Sequence, residues 1–120
     1  MGTLYVFIGG GLGAICRYAI SKFFGLSANG FPVGTFIANV ISCIILGMLM
    51  GWLFKKGMDQ KMQLLLMTGF CGGFSTFSTF SAETFQLIEN GNTGLALLYI
   101  VTSVVVCTLL LFGGYFLMKG

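Results

Sequence analysis

The sequence is poorest in charge. Only 8% of its 120 residues are charged, where an average soluble domain carries about 25%. The acids number three, Asp59, Glu83 and Glu89, and there is no histidine. With no histidine and no clustered acids, no acid–base pair suggests itself, and an enzyme is not expected. The four cysteines, Cys16, Cys43, Cys71 and Cys107, fall one to each apolar run without a Cys-x-x-Cys pair. Neither a disulfide nor a metal–thiolate site is therefore expected, because buried membrane thiols behave as small apolar residues. The formal net charge of +3 is spread over segment ends, which argues against a nucleic-acid surface.

What the chain has is hydrophobic length. It is 57% hydrophobic with a mean hydropathy of +0.99. Read in windows of about 20 apolar residues, it is an all-α integral membrane protein, one domain over residues 1–120. Four spans are expected, at 3–24, 32–54, 62–87 and 94–118. A short loop at 26–31, a basic hairpin at 55–61 and a polar loop at 89–93 separate them. Pro32 opens the second span, where its missing N–H does no harm. The first run has no basic stretch ahead of it and is interrupted by Arg17, so a retained span is expected and not a signal peptide. Four spans bring the termini to one face together with Lys55, Lys56, Lys61 and Lys119. Lys22 and Arg17 lie toward the other face, so the bias favours cytoplasmic termini.

The third span carries Gly69-Phe70-Cys71-Gly72-Gly73-Phe74-Ser75-Thr76-Phe77-Ser78-Thr79-Phe80-Ser81. Each glycine weakens a helix interior by about 1 kcal/mol against alanine. Hydroxyls and loosened backbone are costly in hydrocarbon unless they face protein or line a polar cavity. A broken third helix with a site at its centre is one reading. A packing face of small and hydroxyl residues is the other, and it leaves Phe70, Phe74, Phe77 and Phe80 at near-helical spacing unexplained.

Polar residues recur elsewhere at helical spacing. Thr35, Asn39 and Ser42 form a stripe on the second span, and Tyr99, Ser103 and Cys107 form one on the fourth, with Thr102 adjacent. Gly9 with Gly13, and Gly47 with Gly51, read as small-xxx-small packing pairs. Gly9, Gly11 and Ala14 also match a dinucleotide fingerprint, but no acid follows before Asp59, so that match is rejected. Arg17 reads either as a functional intramembrane cation or as a headgroup anchor beside Lys22.

Four helices are too few to enclose a water-filled pore, so a pore here runs along grooves between subunits. A bare small ion costs of order 20 kcal/mol to bring into low dielectric, so the path has to replace water with dipoles. The hydroxyls of Ser78, Thr79, Ser103 and Thr102, the Asn39 amide and Arg17 suit an anion. The positive ring edges of Phe77 and Phe80 can attract an anion while remaining apolar.

Gly72-Gly73-Phe74-Ser75-Thr76-Phe77-Ser78-Thr79-Phe80, with Gly-Gly-x-Gly-Ala-x-x-Arg-Tyr at residues 10–18 and Asn39 between, resembles the Fluc fluoride channel family, also called CrcB. The resemblance covers the whole chain. It implies an antiparallel, dual-topology homodimer in the cell (inner) membrane, surrounded by lipid, that passes fluoride outward and lowers cytoplasmic fluoride. It also implies a structural Na⁺ at the dimer centre on the backbone carbonyls of Gly72 and Ser75. The fluoride pathway would then use Asn39, Phe77, Phe80, Ser78, Thr79, Tyr99 and Ser103, with Arg17 in a vestibule. Ser75 stands where the family usually has threonine, and Cys107 stands where a hydroxyl is expected. The alternative is a small multidrug-resistance-type four-span exporter. Such an exporter needs a first-span carboxylate, and the first span has Arg17 and no acid.

Overall fold

A computed structural model describes residues 2–24 and 30–119; the expected loop at 26–31 lies outside the described residues except for its last two. Every regular element among them is helical. The order is α1 (Gly2–Phe24), α2 (Val33–Lys56), a short α3 (Gln60–Met62), a π-helical segment π1 (Gln63–Cys71), α4 (Gly72–Phe74), α5 (Phe77–Glu89) and α6 (Thr93–Lys119). Three helices, α1, α2 and α6, are each long and apolar enough to cross a membrane. Residues 60–89 are divided instead: α3, π1 and α4 run on continuously, and the helix then stops at Ser75 and restarts at Phe77. The longest dimension is 48 Å, close to the full thickness of a bilayer with its headgroups, about 40–45 Å.

Local chemistry sets the ends. Pro32 precedes α2, and its carbonyl accepts from the Phe36 amide at 3.1 Å. Gly57 closes α2 at φ 76°, its N–H donating to Leu53 O at 2.9 Å. After α5, Gly91 adopts φ 83°, the Asn92 amide reaches back to Leu87 O at 2.8 Å, and the Gly91 amide reaches Ile88 O at 3.1 Å. That paired closure needs a residue free to take positive φ, which glycine supplies.

Two helix pairs carry the packing, α2 against α6 and α1 against π1 and α4. Both are backbone-to-backbone contacts made possible by missing side chains. A Cβ on Gly13 would meet the backbone of Phe70 and Phe74, and one on Gly9 would meet Leu65 O and Phe70 N. From the other side, Gly69 and Gly73 face Gly9 and Gly10. Gly47 and Gly51 meet Leu111 and Tyr115 of α6, and Gly114 of α6 answers against Ile44 and Met48. Both packing pairs read from the sequence are present. In hydrocarbon, where burial of apolar surface gives no net drive, this close approach is what associates helices.

The glycine-rich stretch differs from expectation in one respect. Gly69, Gly72 and Gly73 are helical, with Gly72 at φ −63° and ψ −36°, and the break falls after them, at Ser75 and Thr76. Gly69 and Gly73 serve the contact with α1, and the hydroxyl residues end the helix. The four phenylalanines consequently do not share one helical face. Phe70 pairs with Phe74 before the break and Phe77 with Phe80 after it, at centroid distances of 5.4 and 5.8 Å.

Candidate functional site

The break is built by diverted amides. Ser75 (ψ 156°) and Thr76 (φ −151°) are extended, so the backbone ladder cannot continue. The Thr76 amide donates to Asn39 Oδ1 at 3.0 Å, and the Thr79 amide donates to the Thr76 hydroxyl at 3.3 Å, which caps α5. In an unbroken helix those two amides would serve the carbonyls of Gly72 and Ser75, four residues earlier. The two carbonyls expected to hold a cation are thus among the four, of residues 72–75, that the break deprives of their helical amides, and of these Gly73 O is taken by Arg17. The neighbouring carbonyl of Cys71 is, by contrast, heavily used. It accepts from the Ser75 amide at 3.0 Å, the Ser75 hydroxyl at 2.8 Å and the Ser42 hydroxyl at 3.1 Å.

Arg17 crosses from α1 to this region and donates Nε–H to Gly73 O at 3.1 Å. It sits at the C-terminal end of the 60–74 helical run, where carbonyl dipoles favour a cation. Headgroup anchoring alone does not account for that contact.

Beside the break lies a cavity of about 250 Å³, lined by Asn39, Cys43, Ser75, Thr76, Phe77, Phe80, Ser103, Val104 and Cys107. Segments from α2, the break, α5 and α6 converge on it, and among the described residues no lysine, arginine, aspartate or glutamate lines it. Its polar groups are the Asn39 amide, the hydroxyls of Ser75, Thr76 and Ser103 and two thiols. Ser103 is 6% exposed, and its Oγ has no hydrogen-bond partner among the described residues. A buried orphan hydroxyl is uncommon and calls for an explanation. The N-terminal turn of α5 also begins at this cavity, adding the positive end of a 13-residue helix.

Of the residues read from the sequence, the cavity gathers Asn39, Ser75, Phe77, Phe80, Ser103 and Cys107. Phe77 stands at the rim, 78% exposed, and the Phe80 ring packs on Tyr99 at 4.8 Å. Tyr99 itself lies behind Phe80, fully buried, and its hydroxyl donates to Glu83 Oε1 at 3.1 Å. Ser78 and Thr79 sit in the capping turn, close to the Thr76 hydroxyl at 3.3 and 3.4 Å, and do not line the cavity. Gly72 is exposed on the outer side, where a Cβ would meet nothing within 4 Å.

Two features escaped the sequence reading. Thr76 both caps α5 and ties the break to Asn39, a role that the Thr-x-x-Thr spacing at 76–79 foreshadows. Glu83, which the sequence offers only as one of three acids, accepts from Thr35 Oγ1 at 3.0 Å and from Tyr99 and so joins α2, α5 and α6. Its being the sole carboxylate within a span was the available signal.

With this geometry in view, comparison with known proteins is specific. The model of the family described as CrcB-like protein, Camphor Resistance (CrcB), matches residues 4–115. A fluoride-specific ion channel FluC of Pyrococcus abyssi is 46% identical over 118 residues, which span 98% of this chain and 95% of that one. Another, of Novosphingobium aromaticivorans, is 42% identical over 121 residues, spanning 98% and 96%. Fluoride-specific ion channel FluC 2 of Nitrobacter hamburgensis is 42% identical over 121 residues, spanning 99% and 98%.

Proposed function

The chain belongs to the CrcB-like family, and on that premise we propose that it is a passive, fluoride-selective channel that lets fluoride leave the cytoplasm across the cell membrane. It is a multi-pass membrane protein and not an enzyme. The observation that carries the reading is the orphaned Ser103 hydroxyl, buried in a cavity that offers donors but no fixed charge. A fluoride ion entering there would meet that hydroxyl, the Asn39 amide NH₂, whose own oxygen is already held by Thr76, and the ring edges of Phe77 and Phe80. The absence of a lining carboxylate or ammonium among the described residues suits passive flow, because neither group is there to couple the ion to protons. The multidrug-exporter alternative lacks its essential group, a carboxylate on α1.

In this reading residues 60–89 form a fourth span made of two half-helices, and the protein works as an antiparallel, dual-topology homodimer in lipid. The exposed Gly72 and Phe77 give the partner subunit a surface, and the cavity lies along a groove that one chain leaves unclosed. The Gly72 and Ser75 carbonyls fit a structural Na⁺, since both are acceptors freed by diverted amides. When bound, the ion would supply fixed positive charge and tie the two breaks together. Lys55, Lys56, Lys61 and Lys119 favour one orientation, so dual topology requires the dimer interface to outweigh that bias.

Liposomes loaded with fluoride or chloride, with the potential collapsed by an ionophore, test the function. Rapid fluoride efflux and negligible chloride efflux are expected. Comparable chloride efflux, or a fluoride rate that follows a proton gradient, would overturn it. Labelling of a single cysteine placed at the C-terminal end of a cysteine-free background should occur from both faces of the membrane.

A further inference from the structure

A second cavity, of about 210 Å³, lies at the opposite end of the α2–α6 pair from the α5–α6 turn and is lined by Trp52, Lys55, Lys56 and Met118. It belongs to the basic end of the molecule, where four lysines face a single acid, Asp59. At the other end Lys22 is matched by Glu89. Among the described residues no carboxylate pairs with Lys55 or Lys56, and both are exposed. The nearby Lys119 is engaged differently. Its Nζ stands 4.8, 5.6 and 5.7 Å from the ring centroids of Phe54, Tyr115 and Phe116. That leaves Lys55 and Lys56 as the two uncommitted cations of the cavity.

The depth of the site selects its occupant. Lys55 and Lys56 are the last residues of a spanning helix, and Trp52 stands one turn inward, where indole rings settle at the headgroup level. A water occupies about 30 Å³ of liquid, so the cavity has room for a phosphodiester and its glycerol. Met118 and Trp52 give the cavity apolar walls. We propose that this cavity binds the headgroup phosphate of an anionic phospholipid. Two ammonium groups face the phosphate and Trp52 packs along the glycerol and upper acyl chain. The site is separate from the fluoride cavity and stands whether or not the conduction reading holds.

Trp52 is the only tryptophan, so the site carries its own reporter. The protein is reconstituted in vesicles with equal fractions of a phosphatidylglycerol or a phosphatidylcholine brominated near the carboxyl end of its acyl chains. Trp52 quenching should show a preference for the anionic lipid of roughly threefold or more, consistent with lysine–anionic lipid attraction at a membrane surface. Lys55→Gln/Lys56→Gln should bring the preference to about unity, and Lys55→Arg/Lys56→Arg should retain it. Lys61→Gln, which removes a charge outside the cavity, should leave it unchanged. Equal quenching by both lipids in the unaltered protein would overturn the proposal, as would loss of preference in Lys61→Gln. Displacement of the brominated lipid by millimolar inorganic phosphate would also overturn it, showing a site for aqueous anions.

Discussion

Ser103→Ala separates stability from conduction. Ser103 Oγ is buried and unpartnered, and an unsatisfied buried polar group costs about 1–3 kcal/mol. Deleting it therefore leaves the resting protein equally stable or firmer by up to that amount. A fluoride ion passing the cavity loses a charge-assisted donor worth about 1.5–3 kcal/mol. At about 1.36 kcal/mol per tenfold in rate, the flux should fall by roughly ten- to a hundredfold if this position shapes the barrier. Ser42→Ala is the matched control. Its hydroxyl donates to Cys71 O at 3.1 Å, outside the cavity, and that carbonyl keeps the Ser75 amide and hydroxyl. It should cost about 0.6–1 kcal/mol of stability and leave flux near the original value. The assay is initial fluoride efflux per reconstituted protein, set beside thermal unfolding in detergent. Full flux in Ser103→Ala, or a loss of stability matching that of Ser42→Ala, would refute the reasoning.

The ring-edge role proposed for Phe77 and Phe80 predicts that Phe77→Ile and Phe80→Ile cut efflux severely while expression and assembly survive. Volume-similar apolar swaps usually cost under about 1.5 kcal/mol, so a packing role alone predicts near-normal flux. Gly13→Ala places a methyl against the backbone of Phe70 and Phe74 and should cost about 1–3 kcal/mol in detergent unfolding. Gly11→Ala, with nothing within 4 Å, should be neutral or stabilising by up to about 1 kcal/mol. Ser75→Ala keeps the carbonyl and should conduct. A Cβ at Gly72 meets nothing of the described residues within 4 Å beyond its own helix turn, so any loss of function in Gly72→Val should coincide with loss of the proposed dimer in cross-linking.

Membrane residence was legible in the sequence because composition alone decides it: a chain with 8% charged residues has no surface for water. The packing glycines were legible for a related reason. Close helix approach in lipid depends on absent side chains, and spacings of four residues at Gly9/Gly13 and Gly47/Gly51 mark one helix face without tertiary knowledge. Asn39 could be singled out because an intramembrane amide demands partners. Which partner it found was not legible, since the Thr76 amide is 37 residues away and on another element. The place of the break likewise belonged to tertiary structure. Propensity points to the glycines, yet Gly69 and Gly73 stay helical because α1 packs directly on their backbone, and the helix ends where Asn39 and the Thr76 hydroxyl take amides from the ladder. The same holds for Glu83, which bridges α2 and α6 through donors that sequence spacing cannot bring together. Local pattern determined which residues are costly in a bilayer; the packed helices decided which atoms meet that cost, because hydrogen bonds between elements depend on separations that only the fold sets.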